Sequence, residues 1–156
     1  MNIDIYNGFF KGKKVLVTGH TGFKGSWLCI WLHELGAEVV GVSLDPYSER
    51  DNFVLSGIGN KIKADIRADI RDGEKMKQIF TEYQPEIVFH LAAQPLVCLS
   101  YEIPVETYEV NVMGTIHIME AIRAIKSIKV GVMITTDKCY RSEERRVGKE
   151  CRSRWS

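Results

Sequence analysis

A strand, a glycine-spaced turn and a helix, met in that order, constrain this chain more than any other stretch of it. The apolar run Val15-Leu16-Val17 leads directly into Thr18-Gly19-His20-Thr21-Gly22-Phe23-Lys24-Gly25, and an amphipathic segment from Ser26 to Leu35 follows. A strand that turns sharply into a helix needs glycine at set offsets. Gly19 serves the tight turn, Gly22 lets backbone approach a ligand, and Gly25 lets helix and sheet meet closely. The first amides of such a helix lack intrahelical partners and its dipole is positive at that end, so the segment suits a diphosphate. Gly19, Thr21, Gly22, Phe23, Lys24 and Gly25 are therefore candidate dinucleotide contacts. Glycine spacing alone also describes an ordinary turn; the strand before it and the helix after it favour the nucleotide.

Glu38 to Ser43 reads as a second strand, β-branched and closed by Leu44-Asp45-Pro46. Asp45 lies 45 − 25 = 20 residues past the last glycine, the offset at which a carboxylate accepts from an adenosine ribose diol. A 2′-phosphate would meet a like charge there, which favours NAD over NADP; the competing reading is a simple Asp-Pro turn. After a polar stretch with a short helical turn at Asn52 to Leu55, Lys61 to Ile66 reads as a third strand. Ala64-Asp65-Ile66-Arg67 is repeated at once as Ala68-Asp69-Ile70-Arg71. In a doubly wound sheet the end of the third strand passes the adenine, which makes Asp69 an acceptor for its amino group and Ile70 a neighbour of the ring. A solvated loop acid is the alternative.

Met76, Ile79, Phe80 and Tyr83 give helical spacing over Asp72 to Tyr83, with Asp72 as cap and Gln84-Pro85 as stop. Ile87 to Leu91 is a near-continuous apolar run, as in a parallel strand buried on both faces. The small residues Ala92 and Ala93 follow, leaving room for a cofactor beside Leu91, and Gln94 could point into that space. His90 reads as a hydrogen-bonded strand-end residue rather than a base. A long helical pattern runs from Pro104 through Tyr108, Val112, Thr115, Ile116, Met119, Ile122 and Ile125, with Asn111 and Thr115 on one side in a structural role. Val130 to Ile134 is a fifth strand, leaving through Thr135-Thr136-Asp137-Lys138-Cys139-Tyr140. Strands alternating with helices demand parallel pairing and right-handed crossovers, so the expected fold is α/β, a doubly wound parallel sheet of order 3-2-1-4-5, truncated after the fifth strand.

A length of 156 residues with 45% hydrophobic composition allows one domain. A net charge of +1 gives no general pull toward nucleic acid or membrane, no apolar run spans a bilayer, and Met1 to Lys14 lacks a secretory core, so a cytoplasmic location is expected. Cys29, Cys98, Cys139 and Cys151 sit singly, without metal-ligand spacing. They read as reduced, buried thiols, and no metal is expected.

Taken together, Val-Thr-Gly-His-Thr-Gly-Phe-Lys-Gly-Ser-Trp at 17–27, Ala-Asp-Ile-Arg-Asp at 68–72, Pro-Glu-Ile-Val-Phe-His-Leu-Ala-Ala-Gln-Pro-Leu-Val at 85–97, Pro-Val-Glu-Thr-Tyr at 104–108, Asn-Val-Met-Gly-Thr at 111–115 and Thr-Thr-Asp-Lys-Cys-Tyr at 135–140 resemble the extended short-chain dehydrogenase/reductase family. Within it they are most similar to the nucleotide-sugar 4,6-dehydratases that act on CDP-glucose. The resemblance implies a Rossmann-like domain holding NAD as a temporary hydride store, a nucleotide-sugar partner, and a parent enzyme that is a homo-oligomer. It implies that hydride leaves sugar C4, the C5 proton and the 6-hydroxyl are lost as water, and hydride returns at C6. By the same resemblance Thr136 hydrogen-bonds the sugar 4-oxygen, Asp137 protonates the departing 6-hydroxyl, Lys138 assists removal of the C5 proton, and Thr135 borders the cofactor. Lys138, where related dTDP-glucose enzymes carry Glu, favours the CDP-sugar branch.

The pattern breaks after Tyr140. The family's catalytic Tyr with Lys four residues later has no match, since Tyr140 is followed by Glu144 at that spacing. Hydride transfer by this chain alone is accordingly expected to be negligible. Residues 141–156 have no apolar period and a charge of 6 − 3 = +3. They resemble a translated sequencing adapter, so the expected division is an incomplete cofactor-binding domain over 1–140 and a non-native or disordered basic tail over 141–156. Two other readings stay open: a noncatalytic NAD-binding module with a basic interaction tail, and part of a related nucleotide-sugar epimerase.

Overall fold

Val15, Leu16 and Val17 are all fully buried, as befits a strand covered on both faces. They belong to β1 (Lys14–Thr18), the central strand of a five-stranded sheet in the computed structural model, which describes residues 6–136. The other strands are β2 (Glu38–Ser43), β3 (Ala64–Arg67), β4 (Ile87–His90) and β5 (Val130–Met133). All neighbours pair in parallel, in the order β3-β2-β1-β4-β5, as the alternation of elements requires. Thr18 is in register with Val42 and His90, Ser43 with Arg67, and His90 with Met133. Every strand therefore delivers its carboxyl end to one edge of the sheet.

The helices are α1 (Phe23–Glu34), α2 (Asn52–Ser56), α3 (Gly73–Tyr83), α4 (Val97–Glu102), α5 (Pro104–Tyr108) and α6 (Thr115–Ala124). Side chains alternate across a strand, so the sheet fills two cores. On one face Val15, Val17 and Val39 pack with Cys29 and Leu32 of α1 and Phe53 of α2. On the other, Leu16, Val40 and Val88 pack with Met76, Ile79 and Phe80 of α3 and Ile118 of α6. Asp72 caps α3 as expected, its carboxylate accepting from the Lys75 amide at 2.9 Å.

Several boundaries differ from the sequence expectations, each for a physical reason. Helix α1 begins at Phe23 rather than Ser26, because Gly22 is already the cap and the rest of the glycine run lies inside the helix. Strand β3 begins at Ala64 rather than Lys61, because a 3-10 turn over Ile58–Asn60 continues into Ile62, whose amide bonds back to the Ile58 carbonyl. Helix α4 was not foreseen; Ile103, held out of the helical region before Pro104 at φ −124° and ψ 59°, separates it from α5. The long helix from Pro104 contains a π-turn over Glu109–Gly114. Its extra residue rotates the helix beyond it, so Val112, Ile116 and Met119 are 43–54% exposed while Ile118 and Ala121 face the core. Cys98 is exposed, contrary to expectation, because it lies on α4; Cys29 is buried, its thiol pushed up to about 12 by loss of solvent. Cys139 and Cys151 lie outside the described residues. Among the described residues no helix is long and apolar enough to cross a membrane, and no cluster of three metal-ligating side chains occurs.

Candidate functional site

The glycine turn is built by interlocking backbones. Gly19 has φ +73°, and a Cβ there would stand 2.7 Å from the Ala92 nitrogen. A Cβ on Gly25 would overlap the Gly19 carbonyl oxygen. The turn is tied down by the Gly19 amide donating to Val42 O at 2.8 Å and the Gly22 amide to Gly19 O at 3.1 Å. Gly22, as the cap of α1, brings no side chain to the first-turn amides, and Gly22, Phe23 and Lys24 are exposed. Thr21 turns inward: its hydroxyl donates to Leu44 O at 3.1 Å and so accepts from Ser43 Oγ at 2.8 Å, fastening the turn to the exit of β2.

The remaining candidates line the same sheet edge with different commitments. Asp45 is 87% exposed at the exit of β2. Asp69 accepts from the Arg71 backbone amide at 2.9 Å and from its guanidinium at 2.6 and 2.8 Å. Burial opposes ionisation of Asp69, but these bonds to Arg71 win and hold its carboxyl below the usual range. The Ile70 side chain is buried in the core, and its carbonyl pairs with His117 Nδ1 at 3.1 Å, so only its backbone flanks the edge. Leu91 and Ala92 are half-buried and Ala93 is exposed. Gln94 does not project from the loop: its amide group bonds to Leu96 and Thr107, and its backbone exchanges hydrogen bonds with the Asn111 side chain at 2.8 and 3.0 Å. Thr135 and Thr136 are exposed just past β5, where the Ile134 amide still donates to His90 O at 3.0 Å. Asp137 and Lys138 lie outside the described residues.

His90 links these pieces through a directed chain of hydrogen bonds. Thr18 Oγ1 accepts from the Leu91 and Ala92 amides at 3.2 Å each, so its own proton goes to His90 Nδ1 at 2.7 Å. His90 is therefore neutral with its proton on Nε2, which donates to Thr115 Oγ1 at 3.1 Å; Thr115 in turn donates to Asn111 O at 2.8 Å. Burial holds His90 below its ordinary value of 6.5. His20 is shifted the same way, burial outweighing the opposing bond to Asp65. Because both folded values lie below the unfolded one, the unfolded chain binds more protons once pH drops under about 6.5. Stability from the neutral rings is complete above that pH and is lost as pH falls toward the folded values. Urea midpoints are expected to decline between about pH 7.5 and about pH 5.5, and less so in His90→Gln. A midpoint independent of pH over that range would refute this account.

One part of the site went unseen in the sequence. His20 is fully buried, bonds Asp65 at 2.7 Å, packs edge-on against Phe53 and leaves Nδ1 without a partner among the described residues. Arg67 forks onto Asp65 at 2.6 and 3.0 Å, lies 5.2 Å over the Phe53 ring and reaches Asp45 through Nε at 3.0 Å. Asp65 and Arg67 stand two apart in a strand and so share a face, which was the available signal. A separate apolar cavity of about 730 Å³, lined by Tyr6, Phe9, Phe10, Leu28, Trp31 and Phe89 among others, includes none of the candidate residues.

Comparison with known proteins gives a consistent set of relatives. Residues 16–151 match the family model described as GDP-mannose 4,6 dehydratase. A CDP-glucose 4,6-dehydratase of Salmonella typhimurium is 51% identical over 140 residues, covering 90% of this chain and 39% of that protein. A UDP-glucose 4-epimerase of Klebsiella pneumoniae is 38% identical over 112 residues, 71% of this chain and 81% of its own length. Among solved structures, the UDP-glucose-4-epimerase from Stenotrophomonas maltophila with bound NAD superposes with a TM-score of 0.67 at 30% identity, covering 80% of this chain and 37% of that one. The Thermus thermophilus UDP-glucose 4-epimerase complex with NAD gives 0.61 at 35% identity, over 74% and 35% of the two chains. The chain spans 39% and 42% of the length of the first curated relatives it matches.

Proposed function

The chain belongs to the family described as GDP-mannose 4,6 dehydratase, and on that premise we propose that it forms the NAD-holding portion of a nucleotide-sugar 4,6-dehydratase acting on CDP-glucose. The observation that carries this reading is the interlock of Gly19 and Gly25, which leaves the uncapped start of α1 facing outward on the sheet edge. A diphosphate fits there because the two glycines let the turn close tightly against the Ala92 and Gly19 backbones, which leaves the first amides of α1, without intrahelical partners, at the exposed start of the helix. The amides of Phe23, Lys24 and Gly25 would hold the diphosphate, Asp45 the adenosine ribose, and Asp69 with the Ile70 backbone the adenine. Leu91, Ala92, Ala93, Gln94 and Thr135 would border the nicotinamide side. When bound, NAD supplies a reversible hydride acceptor for the sugar.

The chain's own contribution to the chemistry is positioning and proton transfer. Thr136 would hold the sugar 4-oxygen, Asp137 would hand a proton to the departing 6-hydroxyl, and Lys138 would help remove the C5 proton. The identity with the Salmonella dehydratase supports this branch over an epimerase, which has no departing hydroxyl to protonate. The test joins residues 1–140 of this chain to the downstream part of the Salmonella protein and supplies CDP-glucose and NAD. Formation of the 4-keto-6-deoxy sugar is expected, with at least a hundredfold loss in Asp137→Asn, about the scale of a missing general acid. A folded chimera that epimerises CDP-glucose without losing water would overturn the dehydratase reading.

A further inference from the structure

His20 lies in the glycine turn between two pinned neighbours. The Gly19 amide is fixed to Val42 O at 2.8 Å, and the Thr21 hydroxyl to Leu44 O at 3.1 Å. Between them the His20 ring points inward against β2, where Gly41 leaves it room: a Cβ there would stand 2.3 Å from the ring Cδ2. Gly41 is in register with Asp65 on β3, and the ring meets Asp65 Oδ1 through Nε2 at 2.7 Å. Both Asp65 oxygens also receive the Arg67 guanidinium, which makes the carboxylate an acceptor and places the ring proton on Nε2. Nδ1 is left buried with a bare lone pair and no partner among the described residues.

A second proton on this ring would land on Nδ1 and disturb the turn. Asp65 of β3 attracts the resulting cation, while Arg67 Nη1 of the same strand repels it from 3.3 Å. Phe53 of α2 packs edge-on without charge, and Cys29 of α1, close enough to feel Asp65, keeps its proton. Val42 O of β2, the backbone acceptor that favours the protonated ring, already receives the Gly19 amide. Burial outweighs the attractions and holds the ring below its ordinary value of 6.5. A protonated ring must therefore take Val42 O from Gly19 or swing toward water, and both motions release the turn that Gly19 and Gly25 close.

We propose that His20 is a proton-sensing positioning residue: its neutral ring, bonded to Asp65 and seated against Gly41, holds the glycine turn shut, and the turn grips a diphosphate only in that state. This role rests on the reading of the turn as a dinucleotide site, and it makes cofactor affinity depend on a proton held behind that site.

The test titrates the whole chain with NAD, whose diphosphate keeps a constant charge over the range used, by saturation-transfer NMR from about pH 7.5 to about pH 5. Wild-type affinity is expected to be level near neutrality and to fall about fivefold at the acid end, as the neutral fraction of His20 shrinks. By reciprocity, saturating NAD is expected to move the titration midpoint of the His20 ring protons further down. His20→Gln keeps a donor for Asp65 but takes up no proton, so its affinity should stay near the neutral wild-type value and lose its pH dependence. His20→Leu, with no donor, should bind weakly at every pH. An affinity that rises in acid would mean that the cation attracts the diphosphate directly. That result, a pH dependence that survives in His20→Gln, or a His20→Leu chain that binds like wild type overturns the proposal. If the folded wild-type chain gives no saturable NAD signal at neutral pH, the dinucleotide reading itself fails and takes this inference with it.

Discussion

Gly25→Ala is expected to lower stability by about 3 kcal/mol and to remove nucleotide binding, the upper range for forcing atoms into a packed site. The added methyl would overlap the Gly19 carbonyl oxygen. Gly19 has nowhere to retreat, since its amide is bound to Val42 O at 2.8 Å and its outer side abuts the Ala92 backbone. Strain is relieved only by lifting the start of α1 off the turn. That motion separates the amides proposed to grip the diphosphate, so stability and binding fall together. Gly57→Ala is the natural control: Gly57 also has positive φ, +61°, but nothing lies within 4 Å of the new methyl. Its loss should stay near 1 kcal/mol, the cost of the backbone conformation alone. Urea unfolding and titration with 5′-ADP on both variants decide the matter; equal, small losses would show that close packing under the turn is not what fixes the loop.

The contrast between local and distant determinants explains what could be read in advance. Strand β2 was legible to the residue, because its β-branched run is stopped by Pro46. The sheet order followed from alternation of elements and chain handedness, neither of which needs side-chain detail. The tandem tetrapeptide shows where such reading fails. Ala64–Arg67 forms β3, whereas the same four residues at 68–71 make a turn in which Asp69 captures the Arg71 amide. Identical sequence takes two conformations because only the first copy has Val40 to Ser43 beside it to pair with. The π-turn was hidden for a similar reason. Periodicity gave a continuous helix, but the exchange between Asn111 and the Gln94 backbone links segments far apart in the chain. His20 was the largest omission: within a glycine motif it looked like a variable spacer, and its burial depends on Phe53, Asp65 and Arg67, all supplied by later elements.

Thr18→Val is expected to destabilise the chain by about 2–4 kcal/mol, although it keeps the shape of the side chain. One hydroxyl serves three neighbours: it accepts from the Leu91 and Ala92 amides and donates to His90 Nδ1. Leu91 keeps a second acceptor in the Thr18 carbonyl at 3.2 Å, so its amide is not orphaned. The Ala92 amide and the His90 ring nitrogen lose the partner seen here, and each buried polar group left bare costs roughly 1–3 kcal/mol. Thr18→Ser keeps the hydroxyl and should lose less than half as much. The two variants also separate packing from hydrogen bonding, since valine preserves the methyl volume and serine does not. If valine proves the milder substitution in urea unfolding, the junction of β1 and β4 is held by packing. If serine is milder, the Thr18–His90–Thr115 chain is what holds Ala92 against Gly19, and a hydroxyl at the end of the central strand helps keep the glycine turn in register with the exit of β4.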